Sequence, residues 1–376
     1  MALRLLHTAD WQLGKLFHNL PGEVGALLRD ARCEAVRRIA ELATRHEVAA
    51  VLVAGDAFDG NLVPERTIVQ ALAAMRGFAG TWVLLPGNHD AALAEGVWSR
   101  LERLGRPANV VLATAPVPVT LADGRLVVLP APLTERHTSD DLSAWMDGVD
   151  TPSGALRVGL AHGCVAGRLP ETADSTNPID GERAARARLD YLALGDWHGT
   201  LEIAPRTWYA GTPEPDRFRT NDAGNVLLVD LDLPGVPPSV KPLATARHQW
   251  RQLRLDLTGA ADPKAAMDRL FAVAGRLEGA IVLVTLAGAV DLERHAALEA
   301  ALARWSGEFC HLEIRDELVA EPSERDLVGL ADAPVTGAVA GELARLALSS
   351  DRDERAVASL ALRLLYLEHR RLGGGA

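Results

Sequence analysis

Five short segments of this chain carry side chains able to bind a cation, and each follows an apolar run. They hold Asp10 with Gln12 in HTADWQLG, Asp56 in AGDAFD, Asn88 and His89 in PGNHD, His162 in LAHG, and Asp196 with His198 in LGDWHG. Carboxylates, amides and imidazoles of this mix are the donor set of a divalent ion. Taken singly, each segment is ordinary. Asp after a glycine turn is common turn chemistry, and a lone histidine at a strand end is more often a hydrogen-bonded structural residue. Five such segments in succession are hard to ascribe to unrelated turns.

Side chains so far apart in sequence need a scaffold that brings strand ends to one edge, as layered α/β domains do. The pattern supplies one. LRLLHTAD, VAAVLVAGD, TWVLLPGNHD, RLVVLPAP, LRVGLAHG, DYLALGDWHG and NVLLVDLD read as strands running into loops. Between the first strands, ALLRDARCEAVRRIAELATRHE is an amphipathic helix with Leu28, Cys33, Val36, Ile39 and Leu42 on one face, and PERTIVQALAAMRGF is a helix opened by Pro64. Gly55, Gly87, Gly163 and Gly195 allow the tight turns that set the next side chain into a common site. The proline-rich PGVPPSVKP, 234–242, predicts a domain boundary. Strands WRQLRLDL, IVLVTL and FCHLEIRDEL then alternate with helices, and the C-terminal part is mostly helical.

The chain has 376 residues, enough for two domains, and its 48% hydrophobic and 24% charged content is that of a globular protein. A net charge of −11 argues against nucleic-acid binding by a broad basic face, but not against a nuclease whose metal ions meet the phosphate. Three scattered cysteines, Cys33, Cys164 and Cys310, make no disulfide framework and no zinc motif. No run has the length of a membrane span and no secretory leader is evident, so the expected location is cytoplasmic, with no membrane partner.

DWQLG, GDAFD, GNHD, GLAHG and LGDWHG, in that order, resemble the five motifs of the calcineurin-like metallophosphoesterases. HTADWQLGK and YAGTPEP narrow the resemblance to the bacterial SbcD and Mre11 DNA repair nuclease subunits. The resemblance implies an α/β fold: a layered β-sandwich flanked by helices over 1–240, a small α+β capping domain over 241–322, and a helical C-terminal segment over 323–376. It implies two divalent ions, Mn²⁺ first, with Mg²⁺ or iron as alternatives. Asp10, Gln12, Asp56 and His198 would hold one ion. Asp56, Asn88, His162 and Asp196 would hold the other. His89 would be the catalytic imidazole at the leaving group, oriented by Asp59.

Two positions depart from the family pattern, which usually has histidine where Gln12 and Asp196 stand. More oxygen and less nitrogen favours Mn²⁺ or Mg²⁺ over zinc. Gln12 is a weakened ligand, a partner of metal-bound water, or a mark of decay. Asp90 would order its loop or cap it at the surface. Lys15, His18, Arg217 and Arg219 could touch a phosphate backbone or simply be solvated loop residues.

The apolar C-terminal helix, with Val357, Leu360, Leu364, Leu365 and Leu367, either packs on its own domain or, as the resemblance implies, docks on an SbcC/Rad50-like ABC-type coiled-coil ATPase. The resemblance also implies a homodimer. The expected function is a 3′→5′ exonuclease, with endonuclease activity open, on DNA. The rivals are a phosphodiesterase or phosphatase on a small nucleotide or phosphoprotein, and a weakened subunit that recruits an ATPase to DNA ends.

Overall fold

The structure is a computed structural model and describes residues 2–165, 167, 176–258, 262–273, 279–320, 323, 330 and 334–373. The chain divides into two compact units. One runs to Asp216 and includes Thr220–His248; the other holds Arg217–Arg219 and the residues from Gln249 onward.

The first unit contains two six-stranded sheets. One has the order Ser239–Ala244, Asn225–Leu231, Leu3–Thr8, Ala50–Val53, Thr81–Leu84, Val110–Leu112, and its last four strands are parallel. The other has the order Leu201–Ala204, Thr207–Tyr209, Tyr191–Gly195, Leu156–His162, Leu126–Ala131, Val119–Leu121, with a parallel centre. Alternation along the strands decides what faces what. Leu5, Leu52 and Val83 meet Val128, Val158, Leu160 and Tyr191 between the sheets. Leu6, Val51, Val53 and Trp82 face the other way, onto Val36, Ile39, Ile68, Leu72 and Met75. The last five lie on helices Gly22–Arg45 and Glu65–Met75. The second sheet covers its outer face with Met146 and Ala187. Each Leu or Val enclosed in this way contributes roughly 1.5–3 kcal/mol.

The layered α/β expectation is met. Of the expected helix face, Leu28, Val36 and Ile39 are buried, and Cys33 and Leu42 pack at its margin. The expected boundary at 240 is displaced. Ser239–Ala244 pairs antiparallel with Asn225–Leu231, so the proline-rich stretch leads into an edge strand of the first unit, and the compact unit ends at His248. Pro242 is tolerated because that strand is at the edge of the sheet.

In the second unit, strands Gln249–Asp256, Ala280–Val290 and His311–Ala320 form a three-stranded sheet that is parallel throughout. Helices Pro263–Val273 and Leu292–Trp305 make the crossovers that parallel pairing requires. The core includes Phe271, Trp305 and Phe309, with ring centroids 5.0–6.1 Å apart. Helices Pro334–Leu346 and Arg352–Gly373 belong to this same unit, so the C-terminal segment is not a separate compact body. The expected border at 322/323 falls in a stretch mostly outside the described residues.

The C-terminal helix splits its apolar residues. Leu362, Leu365 and Tyr366 pack with Leu292 and Ala340, whereas Val357, Leu360 and Leu364 are exposed at i, i+3, i+7 spacing. Of the two alternatives open for this helix, Leu365 takes packing on its own unit, and Val357, Leu360 and Leu364 stay outside. Arg363 Nη1 donates 2.6 Å to Asp316 Oδ2, tying the helix to the sheet. Among the described residues no helix is long and apolar enough to cross a membrane, and Cys33, Cys164 and Cys310 form no disulfide.

Candidate metal centre

Two loops joined by backbone hydrogen bonds build the floor of the site. The strand Leu3–Thr8 leads to Asp10, and the strand Ala50–Val53 leads to Asp56. Asp10 N donates to Gly55 O, Gln12 N to Asp56 O, Leu13 N to Ala57 O, and Asp59 N to Leu13 O, at 2.9–3.1 Å. Asp10, Gln12 and Asp56 sit at φ 53°, 42° and 53°, a left-handed conformation that Asp and Asn-like side chains accept more readily than most. The turn at Gly55, φ 89°, is obligatory: a Cβ there would run into the His162 ring. From the other sheet come His162, at the end of its strand, and Asp196, φ 101°, just after Gly195.

His7 ties the two sheets together beneath these loops. It is fully buried, its Nδ1 2.9 Å from the Tyr191 hydroxyl and its Nε2 3.1 Å from Leu194 O. A carbonyl only accepts, so Nε2 carries the proton and Nδ1 accepts from the tyrosine. Burial pulls this imidazole down to about 3, outweighing the Leu194 carbonyl.

One half of the site is short of positive charge. Asp10, Asp56 and His162 are buried, with ligand atoms within 4.8 Å of one another. His162 Nδ1 donates to Ala54 O at 2.8 Å, which aims Nε2 at the site. That Nε2 lies 3.0 Å from Asn88 Oδ1 and 3.6 Å from both Asp56 Oδ1 and Asp196 Oδ1. Asp10 accepts from Asp196 N at 3.2 Å. Burial, with Asp10 and Asp56 nearby, pushes Asp196 up to about 6, and burial likewise raises Asp10. Burial lowers His162, but Asp56, Asp196 and Asp10 together overcome it and lift the ring to about 9. Two carboxylates that burial keeps from ionising, Asp10 and Asp196, beside one imidazole that holds its proton are a cluster suited to a cation. Oxygen and nitrogen donors of this mix fit a divalent ion.

The other half is differently made. Gln12 Oε1 accepts from Lys15 Nζ at 2.8 Å, and Gln12 Nε2 faces His198 Nε2 at 3.3 Å. His198 Nδ1 lies 3.2 Å from Asp216 Oδ2, which accepts from Lys15 Nζ at 2.7 Å. Arg32 Nη2 adds a second cation 3.6 Å from that oxygen.

His89 stands at the mouth, its side chain 31% exposed and its Nε2 4.0 Å from Asp56 Oδ2. Asp59 does neighbour it, but through the main chain: His89 Nδ1 donates to Asp59 O at 3.1 Å. The expected orienting carboxylate is replaced by a carbonyl, because the backbone pairing of the 55–59 loop turns that carbonyl toward the ring. Burial raises the half-buried Asp59 carboxyl. Asp90, for which loop ordering and surface capping were both open, is fully buried and accepts from Gly87 N at 2.7 Å and Phe58 N at 3.0 Å, so it orders the loop that carries Asn88 and His89. Burial and Asp56 lift its carboxyl to about 8.

Asp216 and Arg32 escaped the sequence-based reading. The signal for Asp216 was present, since PEPD lies in the loop region after the last motif, but its partners are Lys15 and His198, which only folding brings near. Arg217 and Arg219 belong to the second compact unit, where the neighbouring Phe218 packs edge-on against Trp250 at 4.9 Å. His18 is exposed.

Residues 3–179 match the calcineurin-like phosphoesterase family. They form a calcineurin-like metallophosphoesterase domain. The chain is 25% identical over 242 residues to the uncharacterized metallophosphoesterase YhaO of Bacillus subtilis, covering 60% of this chain and 57% of that one. It is 29% identical over 280 residues to the DNA double-strand break repair protein Mre11 of Aeropyrum pernix, covering 68% and 64%. The SbcD chain of the nuclease SbcCD from Rhodobacter capsulatus is 29% identical over 356 residues, covering 80% and 84%. The chain thus spans somewhat under two thirds of the first two relatives. The phosphoesterase domain implies a phosphoester hydrolase that uses divalent metal, and Asp10, Asp56 and His162 form the candidate site for it.

Proposed function

We propose that this chain is a Mn²⁺-dependent DNA nuclease subunit, a 3′→5′ exonuclease that works with an SbcC/Rad50-like ABC-type coiled-coil ATPase. The observation that carries the reading is the buried Asp10–Asp56–His162 cluster, bordered by Asn88 and Asp196, with His89 at its mouth. Relatives named as Mre11 and as the SbcD chain of the nuclease SbcCD support DNA as the substrate. Asp56, Asn88, His162 and Asp196 would hold one divalent ion, and Asp10, Gln12, Asp56 and His198 the other. Bound there, such ions supply Lewis acidity, lowering the pKa of water and neutralising phosphate charge.

The protein's own part is positional. The Asp59 carbonyl fixes the proton on His89 Nδ1 and leaves Nε2 to exchange a proton with the leaving oxygen. The Asp90 carboxyl holds the loop that aims His89. The exposed Val357, Leu360 and Leu364 offer an apolar stripe of the kind that helix-in-groove docking uses, and this stripe is the proposed ATPase contact. Cysteines outside disulfides suit a cytoplasmic setting.

The test is cleavage of end-labelled double- and single-stranded DNA in Mn²⁺ by wild type and His89→Ala. Wild-type cleavage that falls roughly 10²–10⁴-fold in the variant, with bound metal unchanged, is the expected result. Full activity in His89→Ala would remove the imidazole from the mechanism. Inactivity of both proteins, alone and with the ATPase, would favour the small-nucleotide substrate or the recruiting subunit.

A further inference from the structure

The two halves of the centre differ in charge balance, and the difference lies in Lys15 and its partners. Around Gln12 the hydrogen bonds close into a ring. Lys15 Nζ donates to Gln12 Oε1, Gln12 Nε2 donates to His198 Nε2, His198 Nδ1 donates to Asp216, and Asp216 Oδ2 accepts from Lys15 Nζ. The directions are forced. An ammonium only donates, so the Gln12 oxygen must face Lys15 and its NH₂ must face His198. His198 Nε2 must then accept, so Nδ1 carries the proton toward the carboxylate. The Asp216 carboxylate is met by the Lys15 ammonium at 2.7 Å and by the Arg32 guanidinium at 3.6 Å, so this half is already supplied with positive charge. Across Asp56, by contrast, Asp56 and Asp196 each stand 3.6 Å from a single imidazole, His162, and Asp10, which borders both halves, lies within 4.8 Å of it.

We propose that Lys15 is the resident cation of the Gln12–His198 half, so that the chain takes one divalent ion tightly at Asp56, Asn88, His162 and Asp196 and a second only by displacing the Lys15 ammonium from Gln12 and Asp216. Gln12 suits this role: its oxygen accepts from the ammonium while its nitrogen donates to His198. Asp216 gives the ammonium a buried anchor, with a side chain only 1% exposed. The ring thus makes ion loading sequential, and Lys15 sets the gap between the two affinities. The proposal rests on the metal-dependent reading of the site but not on the substrate.

Mn²⁺ binding to the full chain tests it, by titration calorimetry, by equilibrium dialysis with metal analysis, and by electron paramagnetic resonance. Wild type is expected to bind one Mn²⁺ tightly, with the spectrum of an isolated ion, and a second at least roughly tenfold more weakly, the scale of a like charge within a few ångströms at a partly exposed site. Lys15→Met should strengthen the second ion by roughly tenfold or more, leave the first unchanged and produce the spectrum of a coupled pair at lower Mn²⁺. Lys15→Arg, which keeps the charge, should behave as wild type. His162→Ala should lose the tight ion. Retention of the tight ion shows that Lys15→Met is folded, and Lys15→Gln repeats the test should Met disturb the loop. Two ions of equal affinity in wild type, or a Lys15→Met titration that overlays wild type, would overturn the proposal. DNA cleavage enters none of these outcomes, so the nuclease reading can fail while this one stands, and the reverse.

Discussion

His7 joins the sheets whose ends form the metal centre, and its burial makes it an acid-sensitive joint. Its folded pKa is about 3, against 6.5 for an ordinary histidine. Between those values the unfolded chain binds a proton at this site and the folded chain does not. Stability from this group is therefore complete above about 6.5 and is lost as pH falls toward 3. Each pH unit well below the upper value costs about 1.4 kcal/mol, so moving from pH 7 to pH 5 costs about 2 kcal/mol from His7 alone. Asp196 and other buried groups titrate as well, so the measurement is a difference of differences. Denaturant unfolding is followed at pH 7 and pH 5, with chelator present, for wild type and His7→Gln. The variant is less stable at both pH values, because glutamine cannot reproduce both hydrogen bonds. Its loss between pH 7 and pH 5 should nevertheless be smaller than that of wild type by about 2 kcal/mol. Equal losses in the two proteins would show that His7 is not held neutral and would refute the argument.

Three further outcomes are expected. Gly55→Ala strains a φ of 89° and drives a methyl into the His162 ring, so tight Mn²⁺ binding measured by calorimetry should be lost even where circular dichroism shows a folded chain. Asp90→Ala leaves the Gly87 and Phe58 N–H groups without their acceptor, at roughly 1–3 kcal/mol each, and should lower both the denaturation midpoint and the turnover of DNA by displacing His89. Leu360→Glu with Leu364→Glu, both on the exposed stripe, should leave Mn²⁺ binding and stability nearly unchanged while abolishing co-purification with the proposed ATPase partner.

The sheet order shows why the strand ends were informative before folding was considered. Leu3–Thr8, Ala50–Val53, Leu156–His162 and Tyr191–Gly195 are buried parallel strands, and such strands read as unbroken apolar runs. A polar residue straight after such a run must sit at the sheet's carboxyl edge, so Asp10, Asp56, His162 and Asp196 were legible as a set. The helices were legible by their 3.6-residue spacing. The 234–242 stretch was misjudged because proline marks an edge strand as readily as a linker, and only pairing with Asn225–Leu231 separates the two.

What the sequence determined by itself is therefore the scaffold and which polar residues stand at its strand ends, since both follow from local periodicity and residue type. What only the tertiary structure decided is how those residues are used. Asp59 acts on His89 through its carbonyl, a choice made by the backbone path and invisible in the side-chain pattern. Lys15 and Gln12 close a ring with His198 and Asp216, some 186 and 201 positions away along the chain. Hydrogen bonds and ion pairs act over a few ångströms, so which of many compatible partners a polar residue meets depends on where the whole fold sets it down.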